Sequence, residues 1–390
     1  MKDFLSYAFR PFFFLNGLFA ILSIVVWIFA LHGSGPASLP SDITYWHAHE
    51  MVVGFAMAAI AGFLLTAVAT WTGRPPVRGA VLGVLVLAWL AGRIAMGLSG
   101  SISANTAALV DMLFPVLLLL LVAREVMGAG NSRNFPIVLI AGLLALFNLL
   151  FHLANLGIVR PEIGADRIAL HLLIHLVLLL VTVIAGRIVP NFTANWLRAR
   201  GVSALPVTSA LTDRLVIIAT VGIGLFESIV PLSDVTGLMA MAAAVAHAIR
   251  LSRWQGFATR SEPLLFVLHV GYAWLPIGYF LLSMSIYGQL LPPTVALHAL
   301  TMGVIAFMVL GVSTRVALAH TGRELHAARL TVLAYWLLMA AILIRVLSPY
   351  FADYFFALDS AAAAWTLAFT LFLWVYFPIL TGPAIEKASD

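Results

Sequence analysis

Residues 46–74 read WHAHEMVVGFAMAAIAGFLLTAVATWTGR, and this stretch decides the fold. It opens with two histidines and a glutamate and continues as a long apolar run. A helix needs roughly 20 apolar residues, each rising 1.5 Å, to cross the hydrocarbon core of a bilayer. The stretch is therefore predicted to be a transmembrane helix. Its polar start needs a separate explanation, because imidazole and carboxylate groups are costly inside a membrane.

A second stretch, residues 298–323, repeats the features of the first. It reads HALTMGVIAFMVLGVSTRVALAHTGR. When His298 is placed over His49, both helices reach a glycine thirteen residues later, and both end in Thr-Gly-Arg at the same offset. The match predicts an internal repeat in which each copy carries a histidine at the start of a helix.

The composition places the rest of the chain in the lipid bilayer as well. Of the 390 residues, 63% are hydrophobic and 9% are charged, whereas a soluble domain carries about 25% charged residues. No long polar segment remains for a soluble domain, so residues 1–390 are expected to form one polytopic membrane domain. The net charge of +5 is explained by basic loops beside the membrane, and nucleic acid is not an expected partner.

Apolar runs bounded by glycine, proline and charged residues predict an all-α membrane protein with twelve transmembrane helices. The predicted spans cover residues 12–32, 46–70, 79–98, 105–127, 135–157, 167–189, 211–231, 235–251, 263–285, 294–319, 328–347 and 359–380. The longest expected loop is a polar connection over residues 190–210. An even number of spans puts both termini on the same side of the membrane.

Lysine and arginine positions predict which side that is, because cytoplasmic loops carry an excess of both. With the N-terminus inside, seventeen of the 21 basic residues fall on the inner side. The other four are Arg93, Arg160, Arg167 and Arg345. Both termini are therefore expected in the cytoplasm.

In this orientation several histidines gather towards the outer side. His47 and His49 open the second predicted helix. His171 and His175 open the sixth, and His298 opens the tenth. Histidine-bearing helices that recur every four helices predict three four-helix arcs around a pseudo-threefold axis. The corresponding units would be residues 1–133, 134–260 and 261–390, of which the middle one fits the repeat least well.

Intramembrane histidines at several helix starts indicate metal or haem ligation. His171 and His175 lie on one helical face, where they can share one metal or serve two adjacent centres. The alternative is a hydrogen-bonded polar pair near the interface. His47 and His49 cannot both face inward, and the register shared with His298 favours His49 as the ligand. His47 would then orient a ligand or contact a haem propionate.

Three charged residues are further candidates for this site. Glu50 is the acid nearest to the proposed ligands and is a candidate proton donor, although a helix N-terminus also favours a carboxylate. Arg93 and Arg345 are candidates to bind haem propionates. Ion pairing within the protein, for example with Asp111, is the alternative for these arginines.

The chain contains no cysteine. This excludes disulfides, covalently attached haem, iron–sulfur clusters and thiolate-bound copper. Electrons for any redox reaction would therefore come from quinol or from a redox partner protein.

The chain resembles the NnrS family in motifs that run almost from end to end. These motifs are FRPFFF (9–14), WHAHEM (46–51), GFLLTAVATWTGRPP (62–76), HLLIH (171–175), GRIVPNFTANW (186–196) and the stretch at 298–323. The resemblance implies a twelve-helix, multi-pass protein of the bacterial cytoplasmic (inner) membrane that contains haem and copper. It also implies a role in nitric oxide metabolism or protection in denitrifying or nitrosatively stressed bacteria.

More loosely, the chain is similar to the catalytic subunits of haem–copper oxidases and nitric oxide reductases. Those proteins carry histidine ligands on helices 2, 6 and 10 and a further histidine pair on helix 7. The predicted helix 7 of this chain has no histidine, so His152 or His269 are candidates to complete the metal site. Each of these histidines stays a candidate both for haem and for copper.

The expected function is reduction of nitric oxide to nitrous oxide near the outer face. One or two haem b groups, with copper or another metal, would form the site. A first alternative is a non-catalytic haem protein that scavenges or senses nitric oxide, or protects against it. A second alternative is a transporter, for which twelve helices and an internal repeat are also typical.

Overall fold

The computed structural model describes residues 3–130, 134–159, 163–288 and 291–385, and these residues form helices and no strand. The all-α prediction is therefore confirmed. Twelve of the helices are long, with 19 or more residues each. In chain order they are α1 Phe9–Leu31, α2 Ile43–Thr72, α3 Gly79–Gly97, α4 Ala104–Gly128, α5 Phe135–Asn155, α6 Ala165–Arg198, α7 Ala210–Ile229, α8 Asp234–Ser252, α9 Pro263–Tyr287, α10 Pro293–Ala319, α11 Arg329–Leu347 and α12 Tyr354–Thr381.

Among the described residues, eleven of these helices are long and apolar enough to cross a membrane, so the chain is a multi-pass membrane protein. The exception is α7, whose 20 residues include Asp213, Arg214 and Glu227. Charged side chains inside a membrane are costly unless they are paired. Asp213 accepts from Arg250 at 2.6 Å, and Glu227 lies 3.3 Å from His175. These partners lower the free-energy cost of placing α7 in the membrane. That α7 is also a span, which would make twelve in all, stays a prediction.

The largest difference from the predicted boundaries is in α6. This helix was predicted to end at residue 189, but it continues through Pro190 to Arg198. Proline lacks one backbone N–H, so Pro190 removes the hydrogen bond to the carbonyl four residues earlier. Transmembrane helices tolerate proline in their interior. The predicted loop was therefore wrong over residues 190–198.

The two stretches that match in sequence also share an unusual backbone. In α2 a π-helical segment covers Glu50–Ala56, directly after His49. In α10 a π-helical segment covers Ala299–Ala306, directly after His298. π-Helical segments are rare in proteins, and those that occur are often located at functional sites. The repeat therefore extends from residue identity to local backbone geometry.

A glycine stands at the same offset in each π-helical segment. A Cβ atom on Gly54 would collide with the ring of Phe19, and the carbonyl of Gly54 accepts a hydrogen bond from Trp89 Nε1 at 3.0 Å. A Cβ atom on Gly303 would lie 2.6 Å from the ring of Trp274. Each segment thus packs an aromatic side chain closely against its backbone at a position where only glycine leaves room.

Contacts between helices divide the chain into two compact units. The first unit comprises Met1–Leu173, Val316–Glu324 and Phe372–Asp390. The second unit comprises Ile174–Arg315 and Leu325–Leu371. The three repeat units and the pseudo-threefold arrangement stay predictions.

In the first unit, the FRPFFF segment at the start of α1 holds the end of α12. Arg10 is buried and donates to the carbonyls of Leu380 at 3.2 Å and Gly382 at 2.5 Å. The last carbonyls of a helix have no partner within the helix. Phe9 anchors the same segment to α2, because its backbone N–H donates to Thr66 Oγ1 at 3.2 Å.

Candidate functional site

Four helices of the first unit place six buried polar side chains in one network. None of the six is more than 7% exposed. They are His49 and Glu50 from α2, Arg93 from α3, Asp111 from α4, and Asn148 and His152 from α5. Glu50 is the first residue of the π-helical segment in α2.

His49 is fully buried and is bonded on both edges of its ring. Its Nδ1 atom lies 2.9 Å from Glu50 Oε1, and its Nε2 atom lies 2.9 Å from Asn148 Oδ1. The same Nε2 atom is 3.4 Å from Asp111 Oδ2. The ring of Phe151 stacks on the imidazole at 4.6 Å. These contacts fix both the position and the plane of the imidazole.

Asp111 accepts hydrogen bonds from three side chains. His152 Nε2 lies 2.8 Å and Asn148 Nδ2 lies 2.7 Å from its Oδ2 atom. Arg93 donates to its Oδ1 atom and also to Glu50. The guanidinium therefore bridges the two carboxylates of the network and holds Glu50 beside His49.

The network contains two acidic side chains and one guanidinium. Two carboxylates and one guanidinium give a net charge of −1 if both imidazoles are neutral, which is costly in a buried place. Glu50 accepts at His49 Nδ1, and Asn148 presents its carbonyl oxygen to Nε2 because its N–H₂ group donates to Asp111. A proton shared within the network would balance this charge. A bound metal cation would provide the same balance.

Three residues of the network have the geometry of a metal site. One donor atom each from His49, Asp111 and His152 lies within 4.8 Å of the other two. Both Nε2 atoms face the same carboxylate oxygen, at 3.4 Å and 2.8 Å. Two imidazoles and one carboxylate are a donor set for zinc, iron or copper. The residues present therefore fit a transition metal.

In the second unit, His175 has surroundings that suit a metal or haem ligand. It is buried, its Nε2 atom lies 3.3 Å from Glu227 Oε2, and its Nδ1 atom has no hydrogen-bond partner among the described residues. A Cβ atom on Gly224 would lie 2.8 Å from His175 Cβ, so α7 approaches the histidine closely. A ring held by a carboxylate through one nitrogen, with the other nitrogen available, is typical of a metal-ligating histidine.

The other predicted ligands have different surroundings. His298 Nδ1 donates to the carbonyl of Thr294 at 2.8 Å. His269 lies 2.9 Å from Thr193 through Nε2, and its Nδ1 atom has no hydrogen-bond partner within the described part of the chain. His47 stacks on Trp27 at 4.4 Å.

The structure brings together only some of the predicted site residues. His49, Glu50, Arg93 and His152 meet in the network of the first unit. His171, on α6, belongs to the same unit but not to the network. The members predicted for the same site that lie in the second unit are His175, His269, His298 and Arg345. Arg345 donates to Ser348 Oγ at 3.0 Å, so it bonds to the end of its own helix.

Asn148 is the residue of the network that the sequence analysis missed. It is fully buried and links His49 to Asp111. One signal was present, because Asn148 interrupts the apolar run of α5 four residues before His152 and therefore lies on the same face of the helix. Asp111 was considered only as an ion-pair partner, whereas it is the central acceptor of the network.

His247 belongs to a hydrogen-bonded network in the second unit. Tyr272 accepts from Arg250 at 3.1 Å and donates to His247 Nδ1 at 2.8 Å. His247 Nε2 lies 3.0 Å from Thr220, whose hydroxyl bonds to the carbonyl of Val216. Both ring nitrogens of His247 are therefore bonded, and this histidine is structural.

Comparison with known proteins gives one clear result. A family model described as NnrS protein matches residues 3–384, nearly the whole chain. No curated protein matches the sequence.

Proposed function

The chain belongs to the NnrS family, and on this premise we propose that it is a haem-containing membrane protein that reduces nitric oxide to nitrous oxide. Membership of the family indicates a role in nitric oxide metabolism. The observation that carries the proposal is the buried group of His49, Asp111 and His152 in the first unit. Side chains of this kind are rare inside a membrane unless they are functional.

His49, Asp111 and His152 would hold copper or another transition metal. When bound, this metal would supply a redox-active Lewis acid for nitric oxide. Asn148 would keep its bond to Asp111 and would release His49 Nε2 as that atom turned to the metal. Arg93 would orient Asp111 and neutralise part of its charge. Partners of this kind fix the orientation of metal ligands.

His175 is the proposed haem ligand that the structure supports best. Glu227 is placed to hold its Nε2 atom, and the Nδ1 atom has no partner among the described residues. Ferrous haem, when bound, supplies an iron that takes nitric oxide as a ligand. His171 and His298 stay proposed ligands of the same or a second haem b.

Glu50 is the proposed proton donor. It lies beside His49 and is held there by Arg93. The reaction joins two nitric oxide molecules and consumes two electrons and two protons, giving nitrous oxide and water. The electrons would come from quinol or a redox partner protein. Nitric oxide is small and neutral, so it can reach a buried site through the lipid.

The test is an optical spectrum and a metal analysis of the purified protein, followed by an assay for nitrous oxide with a quinol analogue. We expect a haem Soret band, at least one further transition metal per chain, and nitrous oxide formation. Haem that binds nitric oxide without forming nitrous oxide would favour scavenging or sensing. Protein with neither haem nor metal would contradict the proposal and favour a transporter.

A further inference from the structure

Tyr272 on α9 donates its phenolic hydrogen to a buried imidazole of the second unit. Its Oη atom lies 2.8 Å from Nδ1 of His247, and both residues are 0% exposed. The direction of this bond follows from the other ring nitrogen. Thr220 uses its hydroxyl hydrogen on the carbonyl of Val216, so His247 Nε2 donates to Thr220 at 3.0 Å. In the neutral imidazole, Nδ1 then carries the lone pair that receives the Tyr272 hydroxyl.

This pair of side chains is suited to lose an electron and move a proton in one step. A phenol that loses an electron becomes strongly acidic, and inside a protein its proton needs a nearby acceptor, because an unpaired buried charge is costly. His247 is such an acceptor, since imidazole takes up a proton near neutral pH. Tyr287, at the end of the same helix, donates instead to the backbone carbonyl of Asp234 at 2.6 Å. A carbonyl is a hydrogen-bond acceptor but not a base at neutral pH.

The surroundings of Tyr272 also suit the oxidised state. Arg250 donates to the phenolic oxygen at 3.1 Å, and this bond remains after the hydrogen has moved to His247. Asp213 lies 2.6 Å from Arg250, so its negative charge offsets the repulsion between the guanidinium and a protonated His247. The ring of Trp254 lies 4.4 Å from the Tyr272 ring and is itself 1% exposed. Water is therefore kept away from both rings.

The burial of Tyr272 limits the oxidant that can reach it. Because the residue is 0% exposed in an apolar helix, the oxidant has to be small, neutral and soluble in lipid. It also has to accept a single electron. Nitrogen dioxide has these properties, and it forms when nitric oxide reacts with oxygen. The role in nitric oxide metabolism that the NnrS family indicates would bring this oxidant to the protein.

We propose that Tyr272 is a redox-active tyrosine that nitrogen dioxide oxidises, with His247 as the proton acceptor. The O–H bond of Tyr272 breaks, one electron reduces nitrogen dioxide to nitrite, and the proton forms an N–H bond at His247 Nδ1. The products are a neutral tyrosyl radical, an imidazolium and nitrite, so charge is conserved. A second nitrogen dioxide then bonds to the ring carbon beside the phenolic oxygen, and the hydrogen of that carbon returns to the oxygen as a proton, giving nitrotyrosine. This inference goes beyond the proposed reduction of nitric oxide and needs neither haem nor metal.

The first experiment exposes the purified wild-type protein in lipid vesicles to nitrogen dioxide and locates nitrotyrosine by peptide mass spectrometry. Tyr279 is the matched control within the same molecule. It lies two helical turns further along α9 and is also 0% exposed, but its hydroxyl has no hydrogen-bond partner among the described residues. We expect nitration of Tyr272 to exceed that of Tyr279 about tenfold, the ratio that one hydrogen bond provides. Equal nitration of the two residues, or none at Tyr272, would overturn the inference.

The second experiment records electron paramagnetic resonance spectra of samples frozen directly after a pulse of nitrogen dioxide. The wild type and Tyr279→Phe are expected to show the same tyrosyl radical, and Tyr272→Phe is expected to lose it. In His247→Asn, an amide oxygen can accept the hydrogen bond of Tyr272 but cannot take up its proton. The radical yield of this variant should therefore fall about tenfold. A signal of wild-type size in Tyr272→Phe or in His247→Asn would contradict the proposed roles.

Two further readouts keep the outcome clear. Tyr272→Phe also removes the bond to Arg250, so the unfolding temperature of each variant is measured as well. If that variant does not fold, the comparison of Tyr272 with Tyr279 in the wild type decides. A radical at Tyr272 in protein that forms no nitrous oxide would support this inference and count against the proposed function. Protein that forms nitrous oxide but neither a radical nor nitrotyrosine at Tyr272 would overturn this inference alone.

Discussion

At the scale of single residues, the network around His49 shows how a buried charge is balanced by partners from other helices. Arg93 bridges Glu50 and Asp111, and Asn148 uses its carbonyl and its N–H₂ group to join His49 to Asp111. Removing one member of such a network leaves another charge buried and unpaired. The resulting loss of folding free energy is larger than the net stabilisation that the pair provided. The central acceptor, Asp111, is therefore the most sensitive position.

We predict that Asp111→Asn lowers the free energy of unfolding by about 3–5 kcal/mol, the range for breaking a buried ion pair. The amide keeps the shape but loses the charge that faces Arg93, and its N–H₂ group faces other donors. Metal content should fall together with stability. Both are measurable on protein in detergent, by chemical denaturation and by elemental analysis.

The matched control for this prediction is Glu125→Gln, which breaks ion pairs of the first unit with the partly exposed Arg74 and Arg124. Because both arginines are partly exposed, water screens these pairs and they contribute less than a fully buried pair. This variant should therefore keep its metal and most of its stability. An Asp111→Asn protein with wild-type metal content would show that His49 and His152 are not ligands together with Asp111.

At the scale of helices, the π-helical segments of α2 and α10 carry the repeat. Each begins directly after the matched histidine and contains a glycine against an aromatic ring. An α-to-π change rotates the residues that follow relative to those before it. In α2 this change starts at Glu50, which faces both His49 and Arg93.

We predict that Gly54→Ala lowers the free energy of unfolding by about 1–3 kcal/mol, as overpacking does in cores. The added Cβ atom would collide with Phe19 and lie 3.1 Å from Arg93 Nη1. The displaced guanidinium would also weaken metal binding. Thermal unfolding and metal content of the purified variant test both effects.

Gly142→Ala in α5 is the comparison for this prediction. A Cβ atom there meets only Leu119 among the described residues, at an ordinary 3.8 Å. Alanine in a helix interior is favoured over glycine by about 1 kcal/mol, so this variant should be as stable as the wild type or more stable. Equal behaviour of the two variants would argue against close packing at Gly54.

At the scale of the whole molecule, the orientation depends on how many helices cross the membrane. Eleven described helices are long and apolar enough to span, and α7 differs from them in its charged residues. If α7 spans, both termini lie on the same side, as the distribution of arginine and lysine predicts. If α7 lies outside the bilayer, the termini lie on opposite sides.

We predict that fusions report a cytoplasmic C-terminus and a spanning α7. Green fluorescent protein at the C-terminus should fluoresce, and alkaline phosphatase fused after Leu232, between α7 and α8, should be active. Phosphatase fused after Val77, between α2 and α3, should be inactive and serves as the control for the inner side. Inactive phosphatase after Leu232 together with a non-fluorescent C-terminal fusion would contradict the twelve-span orientation.

Much of the fold was predictable because hydropathy and breaker residues are local properties. The helix boundaries follow the predicted spans closely, except that α6 continues through Pro190 to Arg198 and α12 begins at Tyr354 instead of residue 359. His49, Glu50, Arg93 and His152 were recognisable as candidates because ionisable residues are rare in apolar helices. Asn148 was not, since a single neutral polar residue in such a helix usually bonds to the nearby backbone.

The sequence by itself determined that the chain is a helical membrane protein with histidines at repeated helix starts. Only the tertiary structure decided that His49 is bonded to Glu50 and Asn148, faces Asp111 and shares that carboxylate with His152. The physical reason is that lipid and the protein interior are both apolar. A membrane helix therefore shows little periodicity, and its sequence does not reveal which face meets which neighbour.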